Sequence, residues 1–104
     1  MSTSVTRESN PDRFEITSDG TVAGFAQFLD RDGHRIFFHT EIGEEFGGQG
    51  LAGIVVAEAI AATREEGLTV IPICPYVKKW LTKHTEHEDI TAKPTADDFA
   101  AIGA

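Results

Sequence analysis

The sequence predicts a mixed α/β (α+β) domain: a three-stranded antiparallel meander, a glycine-rich turn, a helix, a fourth strand and a C-terminal helix. Three observations predict it. Period-two runs separated by Asp-Gly turn signals fill residues 13–42. A glycine-rich stretch at 43–53 leads into apolar residues at helical spacing. A short apolar run then closes at Cys74-Pro75, ahead of a second helical pattern.

RFEIT, residues 13–17, alternates polar and apolar, and Asp19-Gly20 is a two-residue turn signal. VAGFAQFL, 22–29, resumes the pattern, so the two runs read as a hairpin. A second turn, Asp30-Arg31-Asp32-Gly33, leads to HRIFFHTEI, 34–42, whose β-branched and aromatic residues favour a third strand. After the glycines, Leu51, Val55, Ala59 and Ala62 share a stripe with Ile54 beside it, which predicts a helix of about four turns. Gly67 suits its C-terminal cap, LTVIPI at 68–73 reads as a buried strand, and Pro75 can open a helix over 76–83 through Val77, Trp80 and Leu81. Residues 1–12 are polar, contain Asn10-Pro11 and lack periodicity, so a flexible lead-in is expected there. The domain proper is expected over 13–90, and the polar, acidic tail at 91–104 offers only Phe99 and Ile102 as anchors.

A chain of 104 residues has room for one core and one site. Its net charge of −8 opposes a phosphate backbone, so no nucleic-acid partner is expected, and it suits an amine-bearing acceptor or serves solubility alone. One cysteine, Cys74, cannot form an internal disulfide, and neither a signal peptide nor a run of about 18 apolar residues is present. The expectation is a cytoplasmic protein without membrane contact, monomeric or a small homo-oligomer. The His84-x-x-His87 pair lacks a third ligand, so no metal is expected.

Chemistry concentrates in EEFGGQGLAG, 44–53, which joins a strand to a helix start. Free amides of Gly48, Gln49, Gly50, Leu51 and Ala52 would converge at the helix N-terminus, where the macrodipole favours an anion. Such donors act locally, whereas surface charge is screened over about 8–10 Å, so the acidic body does not exclude a phosphate. The stretch lacks the Gly-Lys-Ser/Thr of a Walker loop, and an antiparallel meander is the wrong setting for a dinucleotide fingerprint. A tight structural turn is the other reading of the same glycines.

The element order, with Gly50 and Ala52 at the last two fixed positions of a Gln/Arg-x-x-Gly-x-Gly/Ala loop, resembles the GCN5-related N-acetyltransferase fold. FFHTEI, GGQGLA and IPICPYV in this order and spacing resemble more narrowly a minimal branch of about hundred-residue members, over residues 13–90. The resemblance implies acetyl-CoA bound along Ile42, Gly43, Gly47, Gly48, Gln49, Gly50, Leu51 and Ala52, and transfer of its acetyl group to an amine of a small molecule or protein. It also implies that the strand ending at Cys74 splays from its neighbour to admit the pantetheine arm.

Two positions depart from the superfamily pattern. Gly47 stands where Gln or Arg would contact the diphosphate, so Lys78, Lys79 or Lys83 on the next helix are candidates to supply charge. Trp80 is the residue of tyrosine-like shape in the body of that helix, and an indole N–H cannot protonate a leaving thiolate; Tyr76, one turn earlier, is the substitute candidate, or else lies over the core edge. Cys74 is a candidate acyl acceptor or proton donor, or a small buried hydrophobe. His39, with Glu41 to orient or replace it, is a candidate base on a strand face shared with Phe37, or a structural histidine. Backbone amides at Glu41–Gly43 would polarise the thioester carbonyl. A non-catalytic acyl-CoA-binding or regulatory interaction module is the alternative to an enzyme.

Overall fold

Alternation builds the sheet. In β2 (Arg13–Ser18) Phe14, Ile16 and Ser18 are buried while Arg13, Glu15 and Thr17 are half-exposed, the signature of a strand with one face on a core. The structure, a computed structural model, describes residues 2–103. β2 pairs antiparallel with β3 (Thr21–Arg31), and β3 with β4 (His34–Ile42), giving the expected meander. Glycine-containing turns at Asp19-Gly20 and Asp32-Gly33 connect them, all four residues at positive φ.

Residues 3–8 depart from the expected lead-in. They form β1 (Thr3–Glu8), an edge strand paired antiparallel with β2 from Thr3 opposite Ser18 to Glu8 opposite Arg13. The strand is hard to read because Val5 is its only half-buried residue; its anchor is Arg7, which binds Glu66 at 2.7 Å and lies over the rings of Phe14 and Phe28.

β5 (Thr69–Pro72) adds to β4 in parallel, through α1 (Leu51–Glu65) as the crossover, so the sheet order is β1-β2-β3-β4-β5. The buried stripe of α1, wider than the predicted one, comprises Leu51, Val55, Val56, Ala59, Ile60 and Thr63, whereas Ile54 is exposed. It covers Phe14, Ile16, Ala26, Phe28 and Phe37 on the sheet. Each large side chain so buried contributes about 1.5–3 kcal/mol, and Ile60→Ala would cost about 2–5 kcal/mol through the cavity it leaves. α2 (Pro75–Thr82) adds Val77 and Leu81 to the same core.

The tail is more ordered than its composition suggested. After a 3-10 segment at Thr85–Ile90, the amide of Ala92 donates to the Val70 carbonyl at 3.0 Å along β5. α3 (Ala96–Ala101) follows with a Thr95/Asp98 capping box. Asp98 is fully buried and holds Arg31 at 3.1 Å and His34 at 3.3 Å, which ties α3 to the β3–β4 hairpin. Its carboxyl is held below the usual range, first by the Thr95 backbone amide and then by His34 and the Thr95 hydroxyl. A charged clasp, rather than the apolar anchors, fixes this end.

Candidate functional site

β4 and β5 run side by side for only four residue pairs, from His34 opposite Thr69 to Phe37 opposite Pro72. There the amides of Ile73 and Cys74 converge on one acceptor, the Phe37 carbonyl, at 3.0 and 2.8 Å. β4 continues to Ile42 while the other chain turns into α2 at Pro75, so a gap opens between them. The splay implied for Cys74 is present, and Cys74 lies at its root.

A bulge decides which side chains face the gap. Gln27 pairs with His39 and Phe28 with Phe37, so Phe38 is an extra residue in β4. The expectation that Phe37 shares a face with His39 and Glu41 fails at this bulge. Phe37 is buried in the core against Phe28, whereas His39 and Glu41 project from the other, open face. His39 Nε2 lies 3.4 Å from Glu41 Oε1, and its ring stands 5.7 Å from that of Phe25. Thr40 and Ile42 turn to the core side, where the Cys74 thiol donates to the Thr40 hydroxyl at 3.4 Å. His39–Glu41 and Cys74–Thr40 therefore flank the gap from opposite faces of β4. Thr40 escaped the sequence analysis, although the alternation that exposed His39 was the signal for it.

Backbone donors at the end of β4 are fewer than expected. The Gly43 amide donates to the Ala23 carbonyl at 2.8 Å, and strand alternation points the Glu41 amide the same way. Only the Ile42 amide in Glu41–Gly43 is left facing the gap. Gly24 allows this tight join, because a Cβ there would collide with the Glu41 carbonyl and Ile42.

Beyond Gly43 the chain makes one 3-10 turn over Glu44–Phe46, with the Gly47 amide donating to the Glu44 carbonyl at 3.1 Å. Gly50, at φ 72°, is the N-cap of α1, a left-handed conformation in which any Cβ is strained. The first helical bond, Ile54 amide to Gly50 carbonyl, leaves the amides of Gly48, Gln49, Gly50, Leu51, Ala52 and Gly53 without an acceptor among the described residues. No side chain caps this end, and its first turn holds no acidic residue. Space above Gly48 and Gly50 is open, since a Cβ on either would meet nothing within 4 Å. This combination fits an external anion such as a diphosphate.

α2 supplies the opposite wall. Its N-cap is Cys74, and Tyr76 reaches over α1 so that a Cβ on Gly53 would stand 3.6 Å from the Tyr76 hydroxyl. Tyr76, Lys79, Trp80 and Lys83 line one cavity of about 210 Å³. Trp80 stacks on His84, centroids 3.7 Å apart, which fixes the indole in that wall. Lys78 lines other cavities, with Pro72 and Thr91. Among the described residues no cluster of three His, Cys, Asp or Glu could hold a metal ion, and no helix is long and apolar enough to cross a membrane.

No curated protein sequence matches the chain. The fold matches the NMR solution structure of a GCN5-like protein from Staphylococcus aureus with a TM-score of 0.67 at 21% identity, covering 89% of this chain and 91% of that one. It also matches a ribosomal-protein-alanine N-acetyltransferase from Brucella melitensis, with a TM-score of 0.57 at 18% identity, over 81% of this chain and 63% of the other. An IAA acetyltransferase from Bacillus cereus gives 0.58 at 14% identity, over 66% and 63%. The family model described as GCN5-related N-acetyl-transferase matches residues 13–90. Because that match takes in well over half of the chain, the chain belongs to the GCN5-related N-acetyltransferase family and carries its acetyltransferase domain.

Proposed function

We propose that this protein binds acetyl-CoA across the mouth of α1 and the β4–β5 gap and transfers the acetyl group to a primary amine. The observation that carries the reading is the row of amides from Gly48 to Gly53, without an acceptor among the described residues, at the mouth of α1. When bound, acetyl-CoA supplies an activated acetyl thioester. The amides of Gly48, Gln49, Gly50, Leu51 and Ala52 bind the diphosphate, while Gly47 contributes only its small size. Lys79 and Lys83 add positive charge from α2, in place of the side chain that Gly47 lacks. The Ile42 amide, with Gly43 locked behind it, donates to the thioester carbonyl.

Proton handling divides across β4. On the open face, His39, held by Glu41, accepts the proton of the incoming ammonium, directly or through Glu41. On the core face, Cys74, aimed by Thr40, returns a proton to the departing thiolate or briefly accepts the acyl group. Tyr76, over Gly53, is a second proton donor for the thiolate. This arrangement serves attack through the gap, with acid and base on opposite sides.

Ala52→Asp tests the reading by calorimetry with acetyl-CoA. A carboxylate in the first turn is favourable to the helix dipole and so keeps or raises stability, but it repels a diphosphate. Wild-type binding that weakens at least tenfold in this folded variant supports the site; no binding by the wild type ends the proposal. Gly47 and Trp80 favour the second reading, a non-catalytic acyl-CoA-binding or regulatory module. That module would bind acetyl-CoA and release no thiol with any amine.

A further inference from the structure

The open face of the sheet carries a second feature that the acetyl donor does not use. Registers place Arg13, Gln27 and His39 in one row across β2, β3 and β4, and Glu15, Phe25 and Glu41 in the next. Phe25 is half-exposed between two carboxylates, one of which, Glu15, is paired to Arg13 at 2.7 Å. Among the described residues His39 is the polar partner of Glu41, and Phe25 presents a ring to the same spot. An aromatic ring next to a carboxylate is the chemistry that holds an ammonium ion.

A cavity of about 400 Å³ adjoins this patch, lined by Asp12, Gln27, Leu29, Phe38 and Ile102 among others. The β1–β2 turn forms one wall, held down by the Phe28 amide donating to the Asp12 carbonyl at 3.1 Å. The end of α3 forms the other, and the buried Asp98 clasp fixes it in place. Its size falls within the range of about 300–1,000 Å³ usual for small-molecule sites. Gln27 lies opposite His39 on the ladder, and Phe38 precedes it in the bulge, so two residues of the cavity lining are neighbours of the candidate base.

We propose that this cavity and the Phe25–His39–Glu41 patch together form the acceptor subsite, and that the acceptor is an elongated primary amine. An apolar body sits against Leu29, Phe38 and Ile102, with Gln27 and Asp12 at its polar edge. Its ammonium arm crosses β4 past Phe25 and His39 to the gap. Two strand spacings separate β3 from the gap, so the arm is about 10 Å long. The inference rests on the acetyltransferase reading for its meaning, but the binding site can be tested apart from it.

Backbone NMR of the labelled protein, with and without acetyl-CoA, follows titration with a phenylalkylamine series from benzylamine to phenylhexylamine, and with phenylpentanoic acid as an anionic control. Shifts confined to the amides of Gln27, Leu29, Phe38 and Ile102, extending to Phe25, His39 and Glu41 with the long amines, tighter by about tenfold for the long amines than for benzylamine and absent for the acid, are the expected result. Ala101→Trp, at the exposed end of α3, should fill the mouth, and Gln27→Lys should repel the ammonium. Each should abolish those shifts while leaving acetyl-CoA affinity unchanged. Shifts elsewhere, or none, overturn the acceptor subsite whether or not acetyl-CoA binds. Loss of acetyl-CoA binding alone overturns the donor reading and leaves the amine site standing.

Discussion

The thiol of Cys74 donates to the hydroxyl of Thr40 at 3.4 Å across the root of the β4–β5 gap, a contact between the N-cap of one helix and the far half of a strand. The contact aims the thiol along β4, where the proposed reaction would meet it. Cys74→Ser preserves a proton donor of similar reach, and Cys74→Ala removes it. If the thiol acts as an acid, kcat should fall at least tenfold in Cys74→Ala and recover in part in Cys74→Ser. If it is an acyl relay, protein incubated with acetyl-CoA alone should gain an acetyl group by mass spectrometry, and neither variant should. Equal kcat in all three proteins would make the cysteine structural.

His39→Gln and Glu41→Gln test the open face. Removing the base should lower kcat by about a hundredfold, with the acetyl-CoA dissociation constant unchanged. Glu41→Gln should cost less than His39→Gln where Glu41 only holds His39, and as much where the proton passes through it. Steady-state kinetics with calorimetry separates the two quantities.

Gly47 adopts an extended conformation, φ −62° and ψ 149°, that any residue can take, and the Glu44 carbonyl, 3.3 Å from a Cβ built there, need yield by only a few tenths of an ångström. Gly47→Gln should therefore fold and add one hydrogen bond to the diphosphate. Acetyl-CoA binding should tighten about five- to tenfold, consistent with about 1–1.5 kcal/mol. Unchanged affinity would mean that the diphosphate lies elsewhere.

Arg35 is fully buried and bound by Asp30 at 2.8 Å and Glu66 at 2.9 Å, beneath the Phe14 and Phe28 rings. Burial opposes its charge, yet the hydrogen bonds with Asp30 and then Glu66 outweigh this and raise its pKa. Arg35→Met should cost about 2 kcal/mol in urea unfolding, because Asp30 and Glu66 lose its charged hydrogen bonds and keep only Arg7 among the described residues.

Hydrogen bonds from Arg35 and then Arg7 hold the Glu66 carboxyl down at about 2, against an ordinary 4.5. Its contribution to stability is complete above pH 4.5 and is lost as the pH falls toward 2. Urea midpoints of the wild type should decline through that window, and those of Glu66→Gln should decline less.

The meander, α1, β5 and α2 were legible because each carries its period in the side chains: FEI for a half-buried strand, Leu51-Val55-Ala59 for a helix. β1 was not, because a strand held by one valine and the guanidinium of Arg7 leaves no apolar alternation to read. Nor was α3, whose anchor is a buried aspartate in a run that reads as solvated. At the site, the glycine turn and Cys74 could be placed from sequence, since turn chemistry and strand ends are local. The face of Phe37 could not, because a bulge depends on how β3 and β4 pair and has no marker in FFHTE. Gly43 was counted among the donors for a similar reason: only the pairing with Ala23 consumes its amide.

Pro72 has no N–H to offer β4, Pro75 has none to extend the strand, and the two amides between Pro72 and Pro75 are both spent on Phe37. β5 therefore has no means of zipping further along its neighbour. The slot is a fixed property of the chain rather than something a ligand must pry open. Association should then run at the speed of encounter, without a slow opening phase, and hydrogen exchange around Thr40 and Ile42 should report an edge that stays unzipped in the free protein.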